Sequence, residues 1–273
     1  VSAYENGDDG ISIFDTPYTN YIQNLRAYDN IGNGVQMLQA QGTHITTWEV
    51  SGNTSHGISI EDSRYSRIHN IKAYANDMHG VHLIGNANNN QLSFIQTYDN
   101  WDNGIQITNS EDNLFENIVG FDNGNDWVHI EFKSANNTFY DAQLYNNRIW
   151  FRQEAGENTR LLNALVYNNS MAWVALEGGL SSVNNAAIYN NATWLVSQRG
   201  GNVINNVDIY NNDYGVSIVL AASPSDLIFN NVSVYNNTFG IATSTTQGNT
   251  YNGLHMFDNS TNFVWTNGND AQL

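Results

Sequence analysis

One position of this sequence recurs as a polar residue six times in a row: Asp9, Asn33, His56, His79, Asn103 and Asp126. His82 lies three residues beyond His79 and is expected to point outward beside Ser59 and Gln106, with Glu61 on the same face one repeat earlier. A neutral imidazole next to a carboxylate can pass a proton near pH 7. His56, His79, His82 and Glu61 are therefore the candidate catalytic set. The same run fits a hydrogen-bonded ladder of turn residues in which histidine is one more polar member.

The next position is glycine in most repeats (Gly10, Gly34, Gly57, Gly80, Gly104, then Gly215 and Gly240) but Trp127, Trp150, Trp173 and Trp194 in four successive ones. If Val128, Phe151, Val174 and Leu195 point inward, alternation turns the tryptophans outward, as a strip suited to sugar rings or a partner protein. The other reading has them widening the core. Further along, a column reads Glu61, Ile84, Thr108, Glu131, Glu154, Glu177, with His129 and Arg152 between it and the tryptophans. Stacked like charges destabilise a sheet unless something offsets them. Arg152, a bound cation such as Ca2+, or a retained proton would each do so. Glutamates this close suit glycosidase chemistry or a carbohydrate-binding strip; a solvated acidic edge that discourages aggregation is the alternative.

These columns exist only if the chain coils. Asparagine returns twelve times at spacings of 21 to 25 residues (Asn6, Asn30, Asn53, Asn76, Asn100, Asn123, Asn147, Asn169, Asn191, Asn212, Asn237, Asn259), with Tyr or Phe two residues earlier in eleven cases. A fixed period near 23 marks a solenoid. Each repeat carries two short alternating apolar stretches, such as Val203–Ile209 and Gly57-Ile58-Ser59-Ile60, separated by Gly, Asn, Asp and Ser. That is strand and turn chemistry. The expected fold is all-β: a single right-handed parallel β-helix of about 12 coils over residues 1–273, roughly 55 Å long at the usual strand spacing. The asparagines are expected to take left-handed turns and ladder through their amides. Laddering would leave them unable to carry glycans, although seven Asn-x-Ser/Thr sequons occur, at Asn53 and Asn191 for example.

Composition narrows the partners. A net charge of −17 with nine scattered basic residues disfavours nucleic acid and anionic membranes. Cysteine is absent, so disulfides and thiolate metal sites are excluded. No apolar run is long enough to span a bilayer. The chain begins inside a repeat and shows no polar caps, so neighbouring domains of a longer chain are expected.

The repeated Tyr-x-Asn and Gly-Ile-x-Ile pattern resembles, over the whole chain, the right-handed parallel β-helix repeat proteins. That pectate-lyase-like group includes polysaccharide lyases, polygalacturonases, mannuronan C5-epimerases and phage tailspikes. The segment Ala73–Gly80 is similar to the epimerase segment ending in Arg-His-Gly, with Met78 in place of the arginine. Val35-Gln36-Met37-Leu38 stands where an Asp-Pro-His-Glu tract would be, so most of that acid/base set is missing. Gly7-Asp8-Asp9-Gly10 and His56-Gly57 resemble polygalacturonase motifs but lie two coils apart, without the Arg-x-Lys motif. The resemblance implies a secreted or cell-surface protein that meets a polysaccharide or cell-surface glycan along Trp127–Trp194, with His129, Arg152, Glu131, Glu154 and Glu177 contributing. If catalytic, it would be a lyase, C5-epimerase or glycoside hydrolase. A spacer or adhesin segment without chemistry is the alternative.

Overall fold

The computed structural model describes the chain except residues 18–19, 155, 171–173, 177–178, 198–200, 219–225, 244–247 and 266–273, and except the side chains of 149–150, 174–175, 193–197, 217–218 and 265. Every coil gives one strand to each of two twelve-stranded sheets. All pairings are parallel, between residues one repeat apart, as in Ile58↔Val81 and Ile105↔Val128. The first sheet holds long strands such as Tyr21–Tyr28 and Gln91–Tyr98; the second holds short ones such as Val35–Leu38 and Ile105–Thr108.

The long strands are bent. Their fourth residue (Asn24, Thr47, Asn70, Phe94, Asn117, Asp141, Asn163, Asn185, Asn206, Asn231) has a positive φ, so inward–outward alternation restarts there. Seven of these ten are asparagine, which takes left-handed geometry more readily than most residues. Inward residues from both sheets stack in files, such as Ile45-Ile68-Leu92-Phe115-Phe139 and Met37-Ile60-Leu83-Ile107-Ile130, and form one apolar core.

The main asparagine ladder is continuous. Asn30 Nδ2 donates to Asn53 Oδ1 at 2.9 Å, and equivalent links run from Asn6 to Asn259. Each acceptor oxygen also takes a backbone N–H, as Asn76 N to Asn100 Oδ1 at 3.3 Å. One expectation needs correction. The left-handed residue is the one before the ladder asparagine (Asp29, Gly52, Ala75, Asp99, Asp122 and their equivalents), not the asparagine itself. Asn53 and Asn191, both in sequons, are buried in the ladder. Tyrosine and phenylalanine two residues earlier stack face to face outside it, from Tyr74 to Phe257, with centroids 4.8 to 5.2 Å apart.

Candidate functional site

Three residues after the main ladder, the polar stripe forms a second one. Asn33 N donates to Asp9 Oδ1 at 2.7 Å, His56 N to Asn33 Oδ1 at 3.2 Å, and His79 N to His56 Nδ1 at 3.3 Å. Asn103 N then donates to His79 Nδ1 at 3.3 Å and Asp126 N to Asn103 Oδ1 at 2.8 Å. Each side chain supplies one acceptor for the amide of the next coil. The ladder stops at Asp126, which is fully buried and whose carboxyl oxygens make no hydrogen bond among the described residues. Burial pushes its pKa up to about 6, against the pull of His129 and Arg152.

Beside this ladder runs the outward column Gln36-Ser59-His82-Gln106-His129-Arg152, joined coil to coil by the parallel register. His129 Nδ1 lies 3.9 Å from Asp126 Oδ2, and its Nε2 lies 3.5 Å from Glu154 Oε1. One imidazole thus stands between a buried, high-pKa carboxyl and a partly exposed one. Arg152 pairs with the same Glu154 oxygen. Asn103 donates to Gln106 at 2.6 Å, Gln106 to Thr108 at 3.3 Å, and Thr108 to Glu131 at 3.0 Å. The glutamate column is therefore offset by Arg152 at Glu154 and by a hydroxyl at Glu131. His129, Glu131 and Glu154 place one ligand atom each within 4.8 Å of the others. Calcium prefers an all-oxygen shell, and there it would compete with the guanidinium already in place.

The structure brings His56, His79 and His82 together. His56 and His79 stack at 4.9 Å between centroids, and His56 Nε2 is 3.2 Å from His82 Nδ1. Burial lowers their pKa values to about 4, 2 and 3 for His56, His79 and His82, with mutual repulsion adding at the last two. Glu61 is turned away, accepting from Gln36 Nε2 at 3.2 Å in the preceding coil. The expected carboxylate partner of His82 is thus replaced by another imidazole.

The first residue of the tryptophan strip requires the main correction. Trp127 is fully buried, its Nε1 donating to Thr97 Oγ1 at 3.0 Å and its ring edge-on to Phe139. The reason lies in the glycine column. A Cβ at Gly34, Gly57 or Gly80 would run into the main-ladder amides Asn53, Asn76 and Asn100, so this position faces inward. Trp127 fits there because Gly120 vacates the space: a Cβ at Gly120 would overlap the indole. Inward–outward alternation fails at the start of the strand Asp126–Glu131, where Asp126, Trp127 and Val128 are all buried. Trp173, Glu177 and the side chains of Trp150 and Trp194 lie outside the described residues.

A solvent-facing indole stands elsewhere, at Trp101, 81% exposed. With Asp102, Gly124, Asn125 and Arg148 it lines a groove of about 540 Å3 at the edge of the polar face. Asp102 Oδ2 is 3.5 Å from His79 Nδ1, which connects groove and stripe. Its sequence signal is a lone one: Trp101 follows a ladder asparagine, where other coils place residues such as Ile31, Thr54, Asp77, Gly124 and Arg148, and none places an aromatic.

The chain belongs to the right-handed β-helix family: the family model described as the right handed beta helix region matches residues 1–93 and 33–193. Among solved structures it is similar to an alginate lyase from Paenibacillus sp. str. FPU-7 (TM-score 0.59, 9% identity, 86% of this chain and 91% of that one). It is also similar to a mannuronan C-5 epimerase A-module of Azotobacter vinelandii (0.58, 15%, 96% and 79%) and to an endo-xylogalacturonan hydrolase from Aspergillus tubingensis (0.53, 12%, 93% and 87%). At such identities the likeness is one of fold, a fold that polysaccharide lyases, epimerases and hydrolases share. No curated protein sequence matches the chain.

Proposed function

We propose that this protein is a secreted or cell-surface β-helix that binds a polysaccharide across the polar face of its second sheet and acts on it by acid–base chemistry. The glycan enters over Trp101 and lies along His82, Gln106, His129 and Arg152, with Glu131 and Glu154 at its far side. The observation that carries this reading is one constellation: an exposed indole at the rim of a face floored by a buried carboxyl without a hydrogen bond. A buried carboxyl without hydrogen bonds weakens a fold, and such groups cluster where proton transfer is needed. Asp126, with its raised pKa, is the proton donor; His129 stands between it and Glu154, and Arg152 pairs with Glu154. Fold relatives that act on alginate and xylogalacturonan support the substrate class.

A non-catalytic spacer or adhesin segment is the second reading. It is favoured by the later coils, where the central column continues as Ala175, Val196, Ser217 and Ala242. Incubation with alginate, pectin, other uronans and neutral glycans, with analysis of products and of binding, separates the two. The expected result is a soluble product that disappears in Asp126→Asn, and binding about tenfold weaker in Trp101→Ala, the loss of one aromatic stacking contact. A folded protein that neither binds nor alters any glycan would leave the spacer reading.

A further inference from the structure

His56, His79 and His82 place one ring nitrogen each within 4.8 Å of the others, the compactness of a three-imidazole metal cage. The turn ladder gives these rings the opposite character. Backbone N–H groups of His79 and Asn103 donate to Nδ1 of His56 and of His79, so those nitrogens carry lone pairs and the ring protons sit on Nε2. A metal-bound imidazole needs its second nitrogen protonated and facing an acceptor; here Nδ1 of His56 faces an N–H, and Nδ1 of His79 takes the Asn103 amide at 3.3 Å, with the Asp102 carboxylate farther off at 3.5 Å. The consequence propagates. His56 Nε2–H donates to His82 Nδ1 across 3.2 Å, which places the proton of His82 on its own Nε2.

We propose that the ladder amides dictate the tautomers of His56, His79 and His82, making the cluster a neutral N–H donor site for an uncharged sugar oxygen, a hydroxyl or ring oxygen, rather than a metal cage. The ligand rests on the glycan reading above; the tautomers do not. An uncharged acceptor is favoured because Asp102 stands 3.5 Å from His79 and the chain carries a net charge of −17, so a carboxylate would be repelled. In this role His82 is a donor that positions the glycan, and not the base that its place beside Glu61 suggested.

Long-range 1H–15N spectra of the histidine-labelled free protein at neutral pH test the assignment. All three rings are expected as the Nε2–H tautomer, with equimolar Zn2+ leaving their signals unmoved. His56→Asn keeps an acceptor for the His79 amide, as Asn33 and Asn103 do in neighbouring coils, but removes the donor to His82. The fold should survive and His82 should relax to a mixture of tautomers. A proton on Nδ1 of His56 or His79, or one equivalent of Zn2+ that shifts all three rings and is lost in His82→Ala, overturns the proposal. A bound oligosaccharide should shift His82 Nε2–H. One that binds and leaves it unmoved overturns the ligand assignment, and failure of every glycan to bind removes that assignment together with the glycan reading.

Discussion

Two ladders run side by side through the same turn, three residues apart, and differ in what they tolerate. The first is asparagine in every coil from Asn6 to Asn259; the second changes from Asp9 through Asn33, His56, His79 and Asn103 to Asp126. Both accept a backbone amide from a neighbouring coil, the first from the preceding coil and the second from the following one. The first ladder also needs donors: Asn100 Nδ2 reaches Ala73 O at 3.1 Å and Asn123 Oδ1 at 2.9 Å. Only a primary amide of that length offers one acceptor and two donors there. The second ladder asks for an acceptor alone, which carboxylate, amide and imidazole all provide. The remainder of the side chain is free, and chemistry has collected at that position.

The largest expected effect is on the first ladder. Asn100→Ala leaves the backbone N–H of Asn76 without its acceptor and takes one hydrogen bond each from Asn76 Nδ2, Asn123 Oδ1 and the carbonyl of Ala73, all in a buried turn. At 1–3 kcal/mol for an unsatisfied buried group, with partial relaxation, the loss should be about 4 kcal/mol by denaturant unfolding. A loss below about 1 kcal/mol would mean that the stacked amides contribute little.

Asp126→Asn probes the end of the second ladder with the opposite sign. The folded pKa of about 6 lies above the reference 3.8, so the folded state binds the extra proton between these values. Stability contributed by the protonated form is present below pH 3.8 and is lost as pH rises to 6. The variant should gain about 3 kcal/mol over wild type at pH 7 and nothing at pH 3.5. An Asp126→Asn protein equally stable at both pH values would indicate a carboxyl that water reaches.

How much of this could be read beforehand depended on which residues repeat. The period fixed the coils and put Glu61, Thr108, Glu131 and Glu154 in one file, because register follows from spacing alone. Trp127 breaks the two-residue alternation because three successive residues are buried at the start of its strand, Asp126–Glu131, and the space comes from Gly120 on the other sheet. Trp101 is invisible to the period because it occurs in one coil alone. The roles of Asp126 and His129 depend on which side-chain hydrogen bonds are absent, a property that spacing does not encode.

The histidines should make the fold acid-sensitive. Their folded pKa values of about 4, 2 and 3 lie below the reference 6.5, so the unfolded chain binds protons first as pH falls. Stability is therefore complete above pH 6.5 and drops below it, by about 2 kcal/mol per histidine at pH 5. Denaturant titrations at pH 7.5 and pH 5 of wild type and His82→Gln would show it, the variant losing about 2 kcal/mol less between the two. Equal losses would place the His82 ring in contact with solvent in the folded state.

The smallest effect sharpens the comparison most. His79→Asn puts at that position the residue its neighbours in the file already use, with Oδ1 available to the Asn103 amide where Nδ1 now accepts. Its stability at pH 7.5 should change by less than about 1 kcal/mol, within the range of an ordinary substitution, while Asn100→Ala in the adjacent ladder unfolds readily. His79→Leu, similar in bulk but without an acceptor, should lose about 2 kcal/mol for the orphaned amide. If the asparagine and leucine variants were equally unstable, imidazole stacking between His56 and His79 would be what holds the turn, and the second ladder would not be a ladder of acceptors.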